Sequence, residues 1–150
     1  MRSAAVEASM EHLNRVMSVT EEILEQAGCG EDDRRLIGIS VEELFTNIAS
    51  YAYGESKGKV WLTWDIRRAG EDRKEAVIRF QDEGFPYDPF EREDPDLNLP
   101  VEKRPVGGLG IFMVKQFMDD IGYEYKEGRN VTVIRKTFAV VKDEEAGRNV

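Results

Sequence analysis

A carboxylate and an amide four positions apart are the first residues in this chain whose types and spacing could do chemistry. Glu43 and Asn47 lie in the stretch VEELFTNIASYAY, where apolar residues recur every three or four positions. This spacing predicts a helix with both polar side chains on one face. Since Mg²⁺ binds few protein oxygens, the Asn47 amide could ligate one, and Glu43 could accept a proton during phosphoryl transfer. Two polar residues at a solvated helix edge are the alternative interpretation.

A carboxylate at the end of a predicted strand is the second candidate. Asp82 shares the phase of Ala76, Ile78 and Phe80, which mark the inward face of that strand. An ionised carboxylate only accepts hydrogen bonds, so Asp82 could bind the exocyclic amine of adenine and reject guanine, through a bond worth about 1.5–3 kcal/mol. Gly84 would let the base lie close to the backbone. The alternative is a strand-end aspartate that begins a turn.

A glycine run before a helix is the third candidate. Gly107, Gly108 and Gly110 surround Leu109 and precede the helical pattern IFMVKQFMDD. Each glycine costs about 1 kcal/mol of helix propensity, so a function should offset that cost. Exposed backbone amides at a helix N-terminus bind phosphate, and glycine lets the ligand approach closely. A flexible loop before an ordinary helix is the alternative.

The predicted elements follow the order helix, helix, strand, strand, long loop, helix, strand, strand. Because strands follow one another as hairpins, this order favours an α+β fold, a two-layer sandwich whose antiparallel or mixed, mostly antiparallel, sheet carries helices on one face. Ala4 to Ala8 could add a short edge strand or fray. Residues 83–106 hold all five prolines, in a long irregular segment of the kind that is usually functional or disordered. The first two helices are predicted at Met10 to Ala27 and at Gly30 to Gly54. The strands are predicted at Val60 to Arg67, Ala76 to Asp82, Ile121 to Tyr125 and Val131 to Phe138. Two polar turns are predicted at Arg68 to Lys74 and at Gly128 to Asn130.

The size and charge of the chain limit its possible functions. Its 150 residues suit one domain, predicted over residues 1–141, followed by a charged tail, residues 142–150, that is expected to be disordered. The formal net charge of -9 argues against nonspecific binding to nucleic acid or to anionic membranes. A single cysteine, Cys29, no apolar run of about 20 residues and no signal-peptide pattern together predict a cytoplasmic protein.

Taken together and in this order, the three candidates resemble the N, G1 and G2 boxes of the Bergerat-fold ATPases, a fold shared by histidine kinases, gyrase, Hsp90 and MutL. The likeness covers roughly residues 5–140. Within that superfamily the chain is most similar to the stand-alone anti-sigma-factor serine/threonine kinases of bacterial partner-switching systems. The stretches EELFTNIASYAYG, DEGFPYDPF and GGLGIFMVKQFMDDIGY carry this resemblance.

The resemblance implies that the chain binds ATP and Mg²⁺, and it gives each candidate a role. Asn47 would ligate Mg²⁺, Glu43 would be the catalytic base, and Asp82 would read adenine with Gly84 beside it. Thr132, on the last predicted strand, would support Asp82 through a water molecule. The remaining implied positions are a mobile lid and a phosphate-binding backbone, formed by residues 91–106 and by Gly107, Gly108, Leu109 and Gly110.

Three positions depart from the family pattern. Tyr51 stands where relatives often carry a basic residue or a histidine, and Pro86 takes the place of the second G1-box glycine of many members. Val106 replaces an arginine that often precedes the glycine run. Lys103 or Arg104 would therefore have to reach the γ-phosphate.

The resemblance implies a protein serine kinase that phosphorylates an anti-sigma-factor antagonist and also sequesters a sigma factor. It also implies a homodimer, and neither nucleic acid nor membrane is expected as a partner. The alternative is a nucleotide-gated binding or adaptor module with negligible kinase activity. A detached histidine-kinase catalytic domain is disfavoured by the short DEGFPYDPF box, and the only histidine, His12, is not followed by an acid.

Overall fold

Five strands and three α-helices make up the part of the chain that the computed structural model describes, residues 1–91, 94, 98 and 109–141. The strands are β1 (Arg2–Glu7), β2 (Lys59–Arg68), β3 (Arg73–Asp82), β4 (Asp120–Lys126) and β5 (Arg129–Ala139). The helices are α1 (Leu13–Gln26), α2 (Glu31–Tyr51) and α3 (Leu109–Phe117), with short 3₁₀ turns at Met10–His12 and Pro89–Glu91. The predicted tail, residues 142–150, lies outside the described residues, as does most of the predicted lid.

The strands form one sheet in the order β1-β2-β3-β5-β4, and every neighbouring pair is antiparallel. The sequence predicted an antiparallel or a mixed, mostly antiparallel, sheet, and the sheet is antiparallel. The α+β class is confirmed. The segment Ala4 to Ala8 was predicted to pair or fray, and most of it pairs, because β1 is the edge strand beside β2.

The two β-hairpins are tighter than the sequence predicted. Arg68 pairs with Lys74, so both residues lie in strands rather than in the predicted polar turn. At the second hairpin the turn is formed by Glu127 and Gly128, with φ angles of 54° and 79°, as two-residue hairpin turns require. Asn130, predicted to lie in a turn, is therefore the second residue of β5. Polar residues at strand ends pair like apolar ones, but they break the alternation by which strands are recognised.

The helices cover one face of the sheet and share a single apolar core with it. Burial alternates along β2, since Val60, Leu62 and Trp64 are buried while the residues between them are only half-buried. Trp64 Nε1 donates a hydrogen bond of 3.0 Å to Thr20 Oγ1, which ties β2 to α1. Lys136 Nζ donates to the Phe117 carbonyl at 2.9 Å, which ties β5 to the end of α3.

The C-terminal end of α2 meets the sheet where β3 ends and β5 begins. After α2, the carbonyl of Ala52 accepts a hydrogen bond of 2.8 Å from the backbone N–H of Phe85, just beyond β3. In the register between β3 and β5, Asp82 lies opposite Asn130 and Phe80 lies opposite Thr132. The fold thus gathers residues that are far apart in sequence at one edge of the molecule.

Candidate functional site

A cavity of about 470 Å³ lies between the C-terminal half of α2, the end of β3 and the start of β5. Cavities of roughly 300–1,000 Å³ with apolar walls and a few polar groups are typical small-molecule sites. Three of the residues predicted from sequence line it together: Asn47, Asp82 and Thr132. The structure thus brings these three residues together, whereas Gly84 and Gly110 are not among the lining residues.

A second, larger cavity of about 710 Å³ lies at the opposite end of β3, beside the turn that joins it to β2. Its lining is formed largely by exposed strand ends and includes Arg67, Arg68 and Arg73. None of the site residues predicted from the sequence lines it. Size alone therefore does not mark the functional site, and the smaller cavity holds the candidate chemistry.

Asp82 is the charged residue at the centre of the smaller cavity and is only 4% exposed. Its Oδ1 atom accepts two hydrogen bonds of 2.9 Å, from Asn130 Nδ2 and from the backbone N–H of Gly84. No donor among the described residues bonds to Oδ2. Every fully buried polar side-chain atom of these residues has a hydrogen-bond partner, so Oδ2 is not fully buried and keeps contact with solvent. Burial raises the pKa of Asp82, although both hydrogen bonds favour the ionised form and lower it in part.

Asn130 lines the same cavity and is a candidate site residue that the sequence did not single out. It is 4% exposed, and its Nδ2 donates to Asp82 Oδ1 and to the Phe85 carbonyl, each at 2.9 Å. Its Oδ1 accepts from the backbone N–H of Tyr87 at 3.1 Å and from the Tyr123 hydroxyl. One signal could have found it: Asn130 precedes Thr132 by two positions, so both share the inward phase of one strand.

Glu43 lies against the first turn of α3 rather than in the lining of the cavity. A Cβ atom built on Gly110 would overlap the Glu43 carboxyl group, so these two predicted site residues are in close contact. Burial, and secondly the charge of Glu42, raise the pKa of Glu43. Glu43 precedes Asn47 by one helical turn, or about 6 Å along the axis of α2, so the acid adjoins the cavity.

Gly84 has a structural reason to be glycine. A Cβ atom at this position would overlap the carbonyl of Ala52, because the loop after β3 packs directly on the end of α2. The predicted approach of a base to the Gly84 backbone stays a prediction, and so does the water-mediated support of Asp82 by Thr132.

Of the residues predicted at the phosphate end, Leu109 begins α3 and has an exposed side chain. Four others lie outside the described residues: Lys103, Arg104, Gly107 and Gly108.

Three exposed aromatic side chains form the rim of the cavity. Tyr51 is 68% exposed, Phe85 is 67% exposed, and Tyr87 lies beside them. Aromatic rings are stacking surfaces for nucleobases. Tyr51, which the sequence presented only as a departure from a family pattern, thus stands where a planar ligand would meet it.

The site offers one acceptor for an exocyclic amine, an amide oxygen for a hard cation, and aromatic walls for a base. The chain belongs to the histidine kinase-like ATPase domain family, which matches residues 6–136. The resemblance inferred from the three motifs is therefore confirmed.

Individual relatives of the chain within this class are named as serine-protein kinases. Serine-protein kinase RsbW of Bacillus cereus is 27% identical over 132 residues, which make up 87% of this chain and 81% of the relative. Serine-protein kinase RsbW of Bacillus mycoides is 26% identical over the same shares.

Among solved structures, the RsbU and RsbW domains of Rv1364c from Mycobacterium tuberculosis match with a TM-score of 0.58 and 14% identity. This match covers 94% of the present chain and 34% of the solved one, and it shows that the two share a fold. Within the described part of the chain, no helix has the length and apolar character needed to cross a membrane.

Proposed function

We propose that the chain is an ATP- and Mg²⁺-dependent protein serine kinase that acts as an anti-sigma factor and phosphorylates an antagonist protein. The observation that carries this proposal is the shared cavity, in which Asn47 and Asp82 are brought together from different elements. Membership of the histidine kinase-like ATPase family and the serine-protein kinases among the relatives agree with this class of enzyme.

At the base end, Asp82 recognises adenine. Oδ1 is engaged by Asn130 and Gly84, so Oδ2 accepts from the exocyclic amine. Guanine and hypoxanthine present a carbonyl oxygen at the same place, which an ionised carboxylate repels. The rim residues Tyr51 and Phe85 flank the base.

At the phosphate end, Asn47 holds Mg²⁺ through its side-chain oxygen. Mg²⁺ binds few protein oxygens and keeps water and phosphate oxygens as its other ligands, so one amide oxygen would be enough. When bound, Mg²⁺ neutralises charge on the phosphates. Backbone amides of the glycine run and a cation from the lid complete this end of the site: Gly107, Gly108, Leu109 and Gly110, with Lys103 or Arg104.

Glu43 is the proposed catalytic base. Its carboxylate accepts the proton of the attacking serine hydroxyl, and a raised pKa makes it a stronger base than an exposed glutamate. Its contact with Gly110, at the start of α3, and its position one helical turn before Asn47 support this role.

The partners are a sigma factor and the antagonist that serves as phosphoacceptor, and the protein works in the cytoplasm, where sigma factors act. We propose a homodimer, following the resemblance to the anti-sigma-factor kinases. The adaptor alternative, without kinase activity, is not favoured, because the relatives described above are named as kinases.

Transfer of labelled phosphate tests the proposal. The immobilised chain is used to capture proteins from its native host, and the captured fraction is incubated with γ-phosphate-labelled ATP and Mg²⁺. We expect acid-stable label, as phosphoserine, on a captured protein. We also expect Glu43→Gln to lower the transfer rate by about 10²–10⁴-fold, the usual contribution of a general base.

Two results would contradict the kinase assignment. One is the absence of transfer to any captured protein, and the other is a Glu43→Gln variant as fast as the wild type. Acid-labile label on the chain itself would point instead to histidine chemistry.

A further inference from the structure

We propose that Asn130 is a positioning residue for adenine recognition: by holding Asp82 Oδ1 it reserves Oδ2 as the acceptor for the exocyclic amine, and it thereby sets the preference for adenine over 6-oxopurines. This inference rests on the proposed nucleotide-binding function and names a residue that determines its specificity. Both polar atoms of the Asn130 amide are engaged by the protein, so it would act on the base through Asp82 and is not itself a catalytic residue.

The position of Asn130 is set by the register of the sheet. Asp82 ends β3 and lies directly opposite Asn130 on β5, so their side chains project from the same face. Both are 4% exposed, and the Nδ2···Oδ1 distance is 2.9 Å. A hydrogen bond between two buried side chains on paired strands has little freedom to rearrange.

The orientation of the Asn130 amide is fixed from its other side. Its oxygen accepts from the Tyr87 backbone N–H at 3.1 Å and from the Tyr123 hydroxyl. Because two donors face the amide oxygen, the NH₂ group must face Asp82 and the Phe85 carbonyl, as observed. The Asp82 carboxylate therefore always faces the NH₂ group of Asn130 as a hydrogen-bond donor.

This donor controls the charge state of Asp82, and with it the choice of base. A protonated Asp82 would carry a donor of its own, which suits the 6-carbonyl of hypoxanthine or guanine better than the amine of adenine. Burial raises the pKa of Asp82, and the hydrogen bond from Asn130 counteracts that rise. Without Asn130, protonation would begin at higher pH, and adenine would lose its advantage there.

Few other titratable groups face Asp82 from the neighbouring elements. The Tyr53 hydroxyl, after α2, accepts from the Glu83 backbone N–H at 2.8 Å, and the Tyr123 hydroxyl approaches from β4. The pKa of each tyrosine is raised, chiefly by burial, so both stay neutral in the range where a carboxylate titrates. Glu83 is exposed, and it is unchanged in every variant below.

The test is a comparison of ADP and IDP affinity, measured by calorimetry from about pH 5 to pH 8. IDP differs from ADP in carrying a carbonyl in place of the amine, so the ratio of the two affinities reports base recognition alone. The variants are Asn130→Ala, which removes the donor, and Asn130→Asp, which keeps the size but adds a second carboxylate. Asn14→Ala, an exposed amide on α1, is the matched control.

For Asn130→Ala we expect the preference for ADP over IDP to fall about tenfold or more, the equivalent of one hydrogen bond to a charged group. The pH below which ADP affinity declines should move upward, and further still in Asn130→Asp, because like charges raise a carboxyl pKa. Asn14→Ala should match the wild type in both measurements. If the alanine variant fails to fold by circular dichroism, the nearly isosteric aspartate variant decides.

The proposal is overturned if both Asn130 variants weaken ADP and IDP equally and leave the pH midpoint unmoved, since a merely structural role would do just that. Failure of the wild type to bind ADP at all is a different result. It would contradict the nucleotide site itself, and this inference with it.

Discussion

At the scale of single residues, the charge of Asp82 has opposite expected effects on ligand binding and on the stability of the fold. A raised folded-state pKa means that folding favours the protonated form, so the stabilising contribution is present at low pH and is lost as the pH rises through the folded pKa. At neutral pH the ionised Asp82 therefore destabilises the fold. That cost is understandable if the charge is needed for a ligand.

Asp82→Asn separates these two effects. We expect the variant to bind ADP at least tenfold more weakly, because a charge-assisted hydrogen bond to the base is lost. Without ligand it should unfold at the same temperature as the wild type or higher at neutral pH, since a buried charge has been removed. Calorimetric binding and thermal unfolding check the pair, and a variant that loses both affinity and stability would speak against this reading of Asp82.

Glu43 gives a prediction about the pH dependence of the rate. Its pKa is raised by burial first and by Glu42 second, so the ionised base should be lost at a higher pH than for an exposed glutamate, whose pKa is about 4.3. Removing the neighbouring charge in Glu42→Gln should move the acid limb of the kcat profile to lower pH. Because Glu42 is exposed, the fold should be unaffected. An acid limb that does not move would show that another group controls it.

At the scale of elements, the contact between the end of α2 and the loop after β3 holds the base end of the site in place. Gly84→Ala would force a methyl group onto the Ala52 carbonyl, which is backbone and cannot move aside. We expect a loss of about 1–3 kcal/mol in the free energy of unfolding, measured by urea denaturation. Gly122→Ala, on β4, is the matched control, because a Cβ there meets nothing within 4 Å. Equal stabilities of the two variants would contradict the close packing.

The contact between α2 and α3 has a different consequence, because a side chain is involved. Gly110→Ala would push the flexible Glu43 carboxyl group aside while gaining up to about 1 kcal/mol of helix propensity. We expect unchanged or higher stability but a lower phosphotransfer rate. Gly38→Ala on α2 gains the same propensity and meets only Met17 Cε at an ordinary 3.6 Å, so it should keep the wild-type rate. If Gly110→Ala is as active as Gly38→Ala, Glu43 is not held by this contact.

The elements themselves could be predicted from the sequence because their signals are local. Alternating burial in β2 and the helical spacing around Glu43 depend on residues a few positions apart, and the structure agrees with both. The boundaries failed where polar residues continue a strand, as at Arg68 and Asn130. The role of Asn130 depends on the register of β5 against β3, which joins residues 48 positions apart. No local pattern encodes that pairing, so the strand phase shared with Thr132 could suggest an inward side chain at Asn130 but not its bond to Asp82.

At the scale of the whole molecule, a net charge of -9 must accommodate an anionic ligand. The overall field repels a polyphosphate, so affinity has to come from local donors and from the cation. The base end of the proposed site lies on the sheet, at Asp82 and Asn130, whereas the cation ligand Asn47 lies on α2. Although Tyr51, at the end of α2, also flanks the base in this proposal, the polar contacts proposed for the two ends of the nucleotide come from separate elements, so the two ends should respond separately to perturbation.

This division predicts the effect of metal removal. Chelation of Mg²⁺ should weaken ATP binding strongly, because an uncompensated phosphate chain enters an acidic protein, while adenosine binding should change little. Asn47→Ala should have the same signature, a loss for ATP with adenosine nearly unaffected, and Asp82→Asn should weaken both ligands. Calorimetry with ATP and adenosine, each with and without a chelator, checks all three. If chelation weakened adenosine as much as ATP, the cation would be holding the fold or the base end together, and the assignment of Asn47 to the phosphate end would be wrong.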